Sequence, residues 1–232
     1  MSASTARLVR RGDVVELSLG DGQNRFTPGG LARLDELLTA ACEGGASALV
    51  TTSSARFFST GLDLGWMMEN PGEVTSLVDA MHRLLARFLA LPMSTTAVVD
   101  GHAIGGGALL ALCHDHIVIG PTATWSLPEV RLPLAFTPGL LAVVRSKLQP
   151  NVAVDAVTTG RQYDQAAAVA AGIARRPERN ESAHDAGYRV RFWATPDIPG
   201  AAREALWSEL VLAGVDHLNT DDLHGLEDFL RP

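Results

Sequence analysis

Cysteine is scarce in this chain. Cys42 and Cys113 are the two present among 232 residues, too few for a disulfide scaffold, and neither has the partners of a zinc site or a catalytic thiolate. Both sit in apolar, helix-like contexts and read as buried free thiols of a reducing compartment. Basic charge is also short. Nineteen Lys and Arg stand against 26 Asp and Glu, a formal net charge of −7. That balance argues against a nucleic-acid or anionic-membrane surface. A small anionic ligand stays open, because local charge decides it. No run approaches the roughly 18 apolar residues of a membrane span. The start, "MSASTARLVRRGDVVELSL", lacks the apolar stretch of a secretory leader, so the expected location is cytoplasmic. Low-complexity segments and internal repeats are missing too. What remains is a globular composition, 47% hydrophobic and 19% charged, long enough for one good-sized core.

Periodicity then assigns the elements. Residues 13–20, "DVVELSLG", alternate and predict a strand. Residues 30–45 carry helical spacing and end in glycines, a sensible C-cap. A short apolar strand is expected over 46–53, a loop with an aromatic pair over 55–66, and a strong helix over 73–92. The next strand covers 94–101, then come a glycine turn, a short helix to about His114 and a strand over 116–120. The pattern is α/β, though some strands arrive in pairs rather than alternating cleanly with helices. From about Gly160 the chain reads as mainly helical, with a polar break over 175–185.

Two turns carry the chemistry. The run Gly105-Gly106-Gly107 opens a helix, and such a turn presents bare backbone N–H groups to something negative. A Walker phosphate loop needs Lys-Ser or Lys-Thr after its last glycine, whereas Ala108 and Leu109 follow here. The G-x-G-x-x-G spacing of a dinucleotide fingerprint is also missing from "GHAIGGG". Amides at the helix start could instead hold a developing oxyanion. A second donor would come from "FFSTGLDL", where Gly61 lets the amide of Leu62 turn outward. Asp63 would anchor that loop by accepting from nearby amides.

"RFFSTGLDL", followed roughly 40 residues later by "DGHAIGGGALLALCHD", resembles the crotonase superfamily, the enoyl-CoA hydratase/isomerase family. "WSLPEVRLPLAFTPG" (125–139) is similar to the family's "PE" segment, and "TTGRQYDQAAAVAAGIA" (158–174) to its TG-containing helix pair. The resemblance covers roughly residues 8–175. It implies an α/β crotonase (ClpP-like) spiral of repeated strand-strand-helix units. The spiral core with the acyl-CoA site would span residues 1–174. Residues 175–232 would form a helical region that helps build a homotrimer or a dimer of trimers.

The family's thioester carbonyl lies between two backbone N–H groups, which match Leu62 and Gly106; Gly61 and Gly105 would let the substrate approach. Family hydratases, which are lyases, use two glutamates. The second matches Glu129, but the first position is Leu109 here. Activating water and protonating carbon-2 calls for two carboxylates. One suffices to carry a proton from carbon-2 to carbon-4. The pattern is most similar to the enoyl-CoA delta isomerases, with Glu129 as the catalytic base in a dry pocket of Trp125, Leu127, Pro128, Val130 and Leu132. A hydratase or another acyl-CoA reaction, and an acyl-CoA binder without catalysis, stay open as alternatives. The resemblance implies a coenzyme A thioester as substrate and no cofactor. Arg25 and Arg56 are candidates for the ligand's phosphates, and Trp66, Met67 and Met68 for the acyl pocket. His102 reads as a packed, hydrogen-bonded residue, and His114, Asp115 and His116 as capping and packing groups rather than a metal site or a triad. Two departures from the family stand out. Pro133 replaces a glycine, and "TPGLL" (137–141) replaces "PGAGG", although Thr137-Pro138 makes a good helix start.

Overall fold

The computed structural model describes residues 6–54, 56–132, 135–177, 191–192 and 217–218. The chain divides into two units at Pro177 and Glu178. The first unit holds two sheets. One runs β1 (Arg7–Arg11), β2 (Val14–Ser18), β3 (Ala48–Thr52), β5 (Ser94–Val99) and β7 (His116–Ile119), parallel except for the β1–β2 pair. The other runs β4 (Phe57–Ser59), β6 (His102–Ile104), β8 (Thr124–Ser126) and β9 (Gln162–Asp164), with only the last pair antiparallel.

Each turn of the chain gives one strand to the first sheet, one to the second, and then a helix. The sequence β3–β4 precedes α2 (Leu64–Glu69) and α3 (Val74–Leu89). The pair β5–β6 precedes α4 (Gly106–Leu112), and β7–β8 precedes α5 (Pro138–Lys147) and α6 (Pro150–Thr159). An earlier turn runs from β2 through a lone bridge, Phe26 to Leu62, into α1 (Pro28–Glu43). This is the strand-strand-helix spiral, and it explains why strands arrive in pairs. Strands β4, β6, β8 and β9 are three residues each, too short for a period-2 pattern, so their pairing partners alone define them. Strand β4 and the start of α2 therefore fall inside the expected loop over 55–66, β6 at the glycine turn, β9 in the tail and β8 in the "PE" segment.

Local chemistry sets the helix ends. Thr27 caps α1, its hydroxyl accepting from Gly30 N, with Pro28 as the first helical residue. Helix α3 buries Leu77, Met81, Leu84, Leu85 and Phe88, spaced to share one face against the core. Each such side chain is worth about 1.5–3 kcal/mol of burial. Trp125 on β8 is fully buried, and its indole N–H donates to Ala108 O at 3.0 Å, pinning the second sheet to α4.

The tail differs from the helical expectation. Gln162–Asp164 is a strand before α7 (Gln165–Ala170). Arg175 bridges to Val118 and exchanges two backbone bonds with β7, so the first unit runs past Ala174. In the second unit, Arg191–Phe192 (β10) and His217–Leu218 (β11) pair as parallel strands. The remainder of the expected helical region over 175–232 lies outside the described residues. Cys113 is buried and burial pushes its thiol up to about 12, whereas Cys42 is only half-buried. Among the described residues no helix is long and apolar enough to cross a membrane.

Candidate active site

The two turns meet. Gly61 has φ +76, which L side chains rarely adopt, and a Cβ there would lie 2.5 Å from Gly106 N. A Cβ at Gly107 would overlap Ser59 O. Glycine at these positions lets β4 and the start of α4 touch backbone to backbone.

Hydrogen bonding sets where the amides point. Phe26 N donates to Gly61 O and Asp63 N donates to Phe26 O. In an extended segment successive N–H groups face opposite ways, so the Leu62 amide turns away from Phe26. Among the hydrogen bonds of the described residues, none is donated by Leu62 N or Gly106 N. Gly106 begins α4, where N–H groups have no partner within the helix. Asp63 caps α2, accepting from Gly65 N and Trp66 N.

Two residues that sequence reasoning missed hold the first turn. Asn24, at φ 49, donates from Nδ2 to Phe57 O and Phe58 O. The Ser59 hydroxyl donates to Asn24 O at 2.7 Å and accepts from Gly61 N at 3.1 Å. Asn is one of the few side chains that tolerates a left-handed backbone, and that was the available signal.

Glu129 reaches the same place through the second sheet. Ile104 pairs with Ser126, and Gly105 N donates to Ser126 O at 2.9 Å. The chain then enters a single helical turn, Pro128–Arg131, that carries Glu129. Gly160, in the left-handed conformation that ends α6, packs under this turn. A Cβ there would lie 3.3 Å from Pro128 Cα and 3.2 Å from Val130 Cγ1. Arg131 donates to Thr159 O. The "TG" of the 158–174 segment is thus the support of the glutamate turn.

A cavity of about 140 Å³ brings together Leu62, Gly105, Gly106, Leu109 and Glu129. Glu129 is the only ionisable group among the described residues that line it. Its carboxyl approaches Gly105, where a Cβ would lie 3.1 Å from Oε1, and its buried Oε2 has no hydrogen-bond partner. Burial raises its pKa above the usual 4.5, because the charged form loses water and gains no cation. The apolar walls differ from the expected ones. Pro128 and Leu132 belong to them, but Trp125 and Leu127 are core, and Val130 is 53% exposed. Leu64, Val78, Met81, Ile104 and Leu140 take their places.

Other candidates lie elsewhere. Trp66 lines a separate groove between α1 and α3, Met67 is buried, and Met68 is exposed. Arg25 pairs with Asp63 at 3.5 Å and lines a third cavity with Arg33. Arg56 is exposed over the Phe57 ring. His102 bonds Thr124 Oγ1 at 2.9 Å. His114 is buried between Thr51 Oγ1 at 2.7 Å and Leu110 O at 2.9 Å, and burial lowers its pKa to about 4. Asp115 accepts from the amide and hydroxyl of Thr95.

Comparison with known proteins places this arrangement. The model of the enoyl-CoA hydratase/isomerase family matches residues 20–190. A second model, of the glycerophosphoryl diester phosphodiesterase family, matches residues 189–224, nearly all outside the described residues. Enoyl-CoA delta isomerase 2, peroxisomal, of Arabidopsis thaliana is 33% identical over 72% of this chain and 74% of its own. Enoyl-CoA delta isomerase 3 of the same plant is 31% identical over 90% and 89%. A solved structure of an enoyl-CoA hydratase/isomerase family protein from Silicibacter pomeroyi superposes with a TM-score of 0.69 at 27% identity, covering 79% of this chain and 81% of the other.

Proposed function

Because the chain belongs to the enoyl-CoA hydratase/isomerase family, we propose that it is an enoyl-CoA delta isomerase that converts a 3-enoyl-CoA into a 2-enoyl-CoA. The observation that carries this is one carboxyl in an apolar cavity. Glu129 is the only ionisable residue among the described lining, and Leu109 stands where a hydratase would hold a second glutamate. Glu129 takes a proton from carbon-2, leaving a dienolate delocalised into the thioester. It returns that proton to carbon-4, and the double bond moves from carbons 3 and 4 to carbons 2 and 3. No atom is gained or lost.

The amides of Leu62 and Gly106 hold the enolate oxygen. Backbone donors need no particular side chain at position 62, and the positive end of α4 adds to them. Loss of one such donor typically costs about 2.7–4 kcal/mol. A carboxyl that must both accept and release a proton works best with a pKa near the working pH. The buried, unpartnered Oε2 pushes Glu129 in that direction. Arg25, paired with Asp63 beside the Leu62 turn, and Arg56 are the candidates for the coenzyme's phosphates. A homotrimer or a dimer of trimers completes the proposal, and light scattering at three or six chain masses would support it.

The test uses the full chain with 3-hexenoyl-CoA and 2-hexenoyl-CoA. The 3-enoyl substrate is expected to isomerise and Glu129→Gln to abolish it. Rapid hydration of the 2-enoyl substrate would instead favour a hydratase. Tight binding with no turnover of either would favour an acyl-CoA binder.

A further inference from the structure

The far wall of the Glu129 cavity is built from two helices that one hydrogen bond joins. Val78 and Met81 come from α3, and Thr137 and Leu140 from the start of α5. A Cβ at Gly106 would lie 3.1 Å from the Met81 Sδ, so this side chain packs against the start of α4. Met81 is 2% exposed and fixed in the core.

Thr137 Oγ1 accepts from Leu140 N, capping α5, and lies 2.8 Å from His82 Nε2. Among the hydrogen bonds of the described residues, this is the only one that joins α3 to residues 135–147. His82 does not line the cavity itself. It acts through Thr137.

We propose that the His82–Thr137 hydrogen bond sets the position of this wall and, with Met81, restricts the pocket to short acyl chains of about four to six carbons. An apolar cavity of about 150 Å³ holds a guest the size of benzene, six carbons, and this cavity is about 140 Å³. Pockets for larger ligands start at about 300 Å³. His82 is thus a positioning residue and Met81 a specificity-determining one. The inference rests on the acyl-CoA reading of the site, and its test separates the two.

Binding of saturated butanoyl-, hexanoyl-, octanoyl- and decanoyl-CoA is measured by calorimetry, beside isomerisation of 3-enoyl-CoAs of six to twelve carbons. Burying one methylene is worth roughly a fourfold gain in affinity. Kd should tighten by about that factor per methylene up to six carbons and stop tightening by eight. Met81→Ala should move the break to longer chains. His82→Ala should flatten the length profile, raising KM for hexenoyl-CoA more than it lowers kcat. His82→Gln, which keeps a hydrogen-bonding group for Thr137, should restore it. A wild-type protein that binds decanoyl-CoA about as well as its homologous series predicts, with no break, overturns the pocket limit even if isomerisation occurs. A break at six to eight carbons with no turnover upholds the limit and sinks the isomerase reading instead. A profile unchanged in His82→Ala removes His82 from the wall.

Discussion

Glu129 and His114 are both titratable groups taken out of water, yet they have opposite surroundings. Both ring nitrogens of His114 have partners, Thr51 and Leu110, and Phe88 packs against the ring at a tilt, with centroids 4.9 Å apart. Glu129 Oε2 is buried with none. A satisfied buried polar group joins elements: here α3, α4 and the first sheet. An unsatisfied one costs stability, about 1–3 kcal/mol for a lost partner, and persists where its reactivity is needed. His114 therefore reads as architecture and Glu129 as chemistry.

The sharpest way to break that contrast is to exchange the acid for its amide. Glu129→Gln keeps the shape and removes the proton carrier. General acid–base catalysis is worth about 10²–10⁴-fold, so kcat for 3-hexenoyl-CoA should fall by at least 100-fold while the melting temperature holds or rises. A variant that retains most of its rate would remove Glu129 from the reaction.

A smaller loss is expected at the turn. Gly61→Ala places a Cβ against Gly106 N and forces a strained φ. Displacing the donors should lower kcat/KM by about 100-fold or more, with a stability cost of about 1–3 kcal/mol. Gly45→Ala is the control. Its φ is +65 and a Cβ there meets nothing within 4 Å. It should pay similar strain and leave kcat/KM unchanged. Equal kinetic losses in both would show that strain, not the contact with Gly106, matters at Gly61.

These two positions also show what could be read in the sequence. The glycine turns, Glu129 and Leu109 stand in local motifs, and the structure gathers them at one cavity. The helices α1 and α3 were legible because their buried faces repeat over four turns. The second sheet was not, because three-residue strands owe their existence to partners tens of residues away. The same non-locality hid the far wall. Val78 and Met81 look like any core stripe of α3, and only the fold sets Thr137 beside His82. Trp66 illustrates the converse. Its apolar, aromatic character suggested the acyl pocket, but the α2 turn carries its side chain to the groove against α1.

A milder test uses pH on stability. His114 is neutral in the folded protein down to about pH 4, whereas the unfolded chain takes up a proton near 6.5. Its stabilising contribution is therefore present above pH 6.5 and is lost as pH falls toward 4. At about 1.36 kcal/mol per unit, the loss is on the order of 3 kcal/mol. Urea unfolding at pH 7 and pH 4.5 should show it. His114→Asn should be weaker at pH 7 and lose less between the two pH values. Equal losses in both proteins would mean that His114 is protonated freely in the fold.

Glu129 should give the opposite signature, and smaller, because it is only partly buried. Its folded pKa is raised, so the folded state holds a proton that the unfolded chain releases near 4.5. Stability from this group is full below pH 4.5 and is lost as pH rises through the raised value. Above that value the buried charge weakens the wild type, and Glu129→Gln escapes it. The variant should thus be the more stable protein at pH 7 and lose that advantage below pH 4.5. The same raised pKa should appear in catalysis. The acid must be ionised to take the carbon-2 proton, so kcat/KM should fall on the acidic side with a midpoint above 4.5. The two measurements must agree on one midpoint, since one carboxyl sets both. A rate profile flat through that range, beside a stability difference that titrates there, would leave Glu129 strained but idle, and the contrast with His114 would reduce to packing alone.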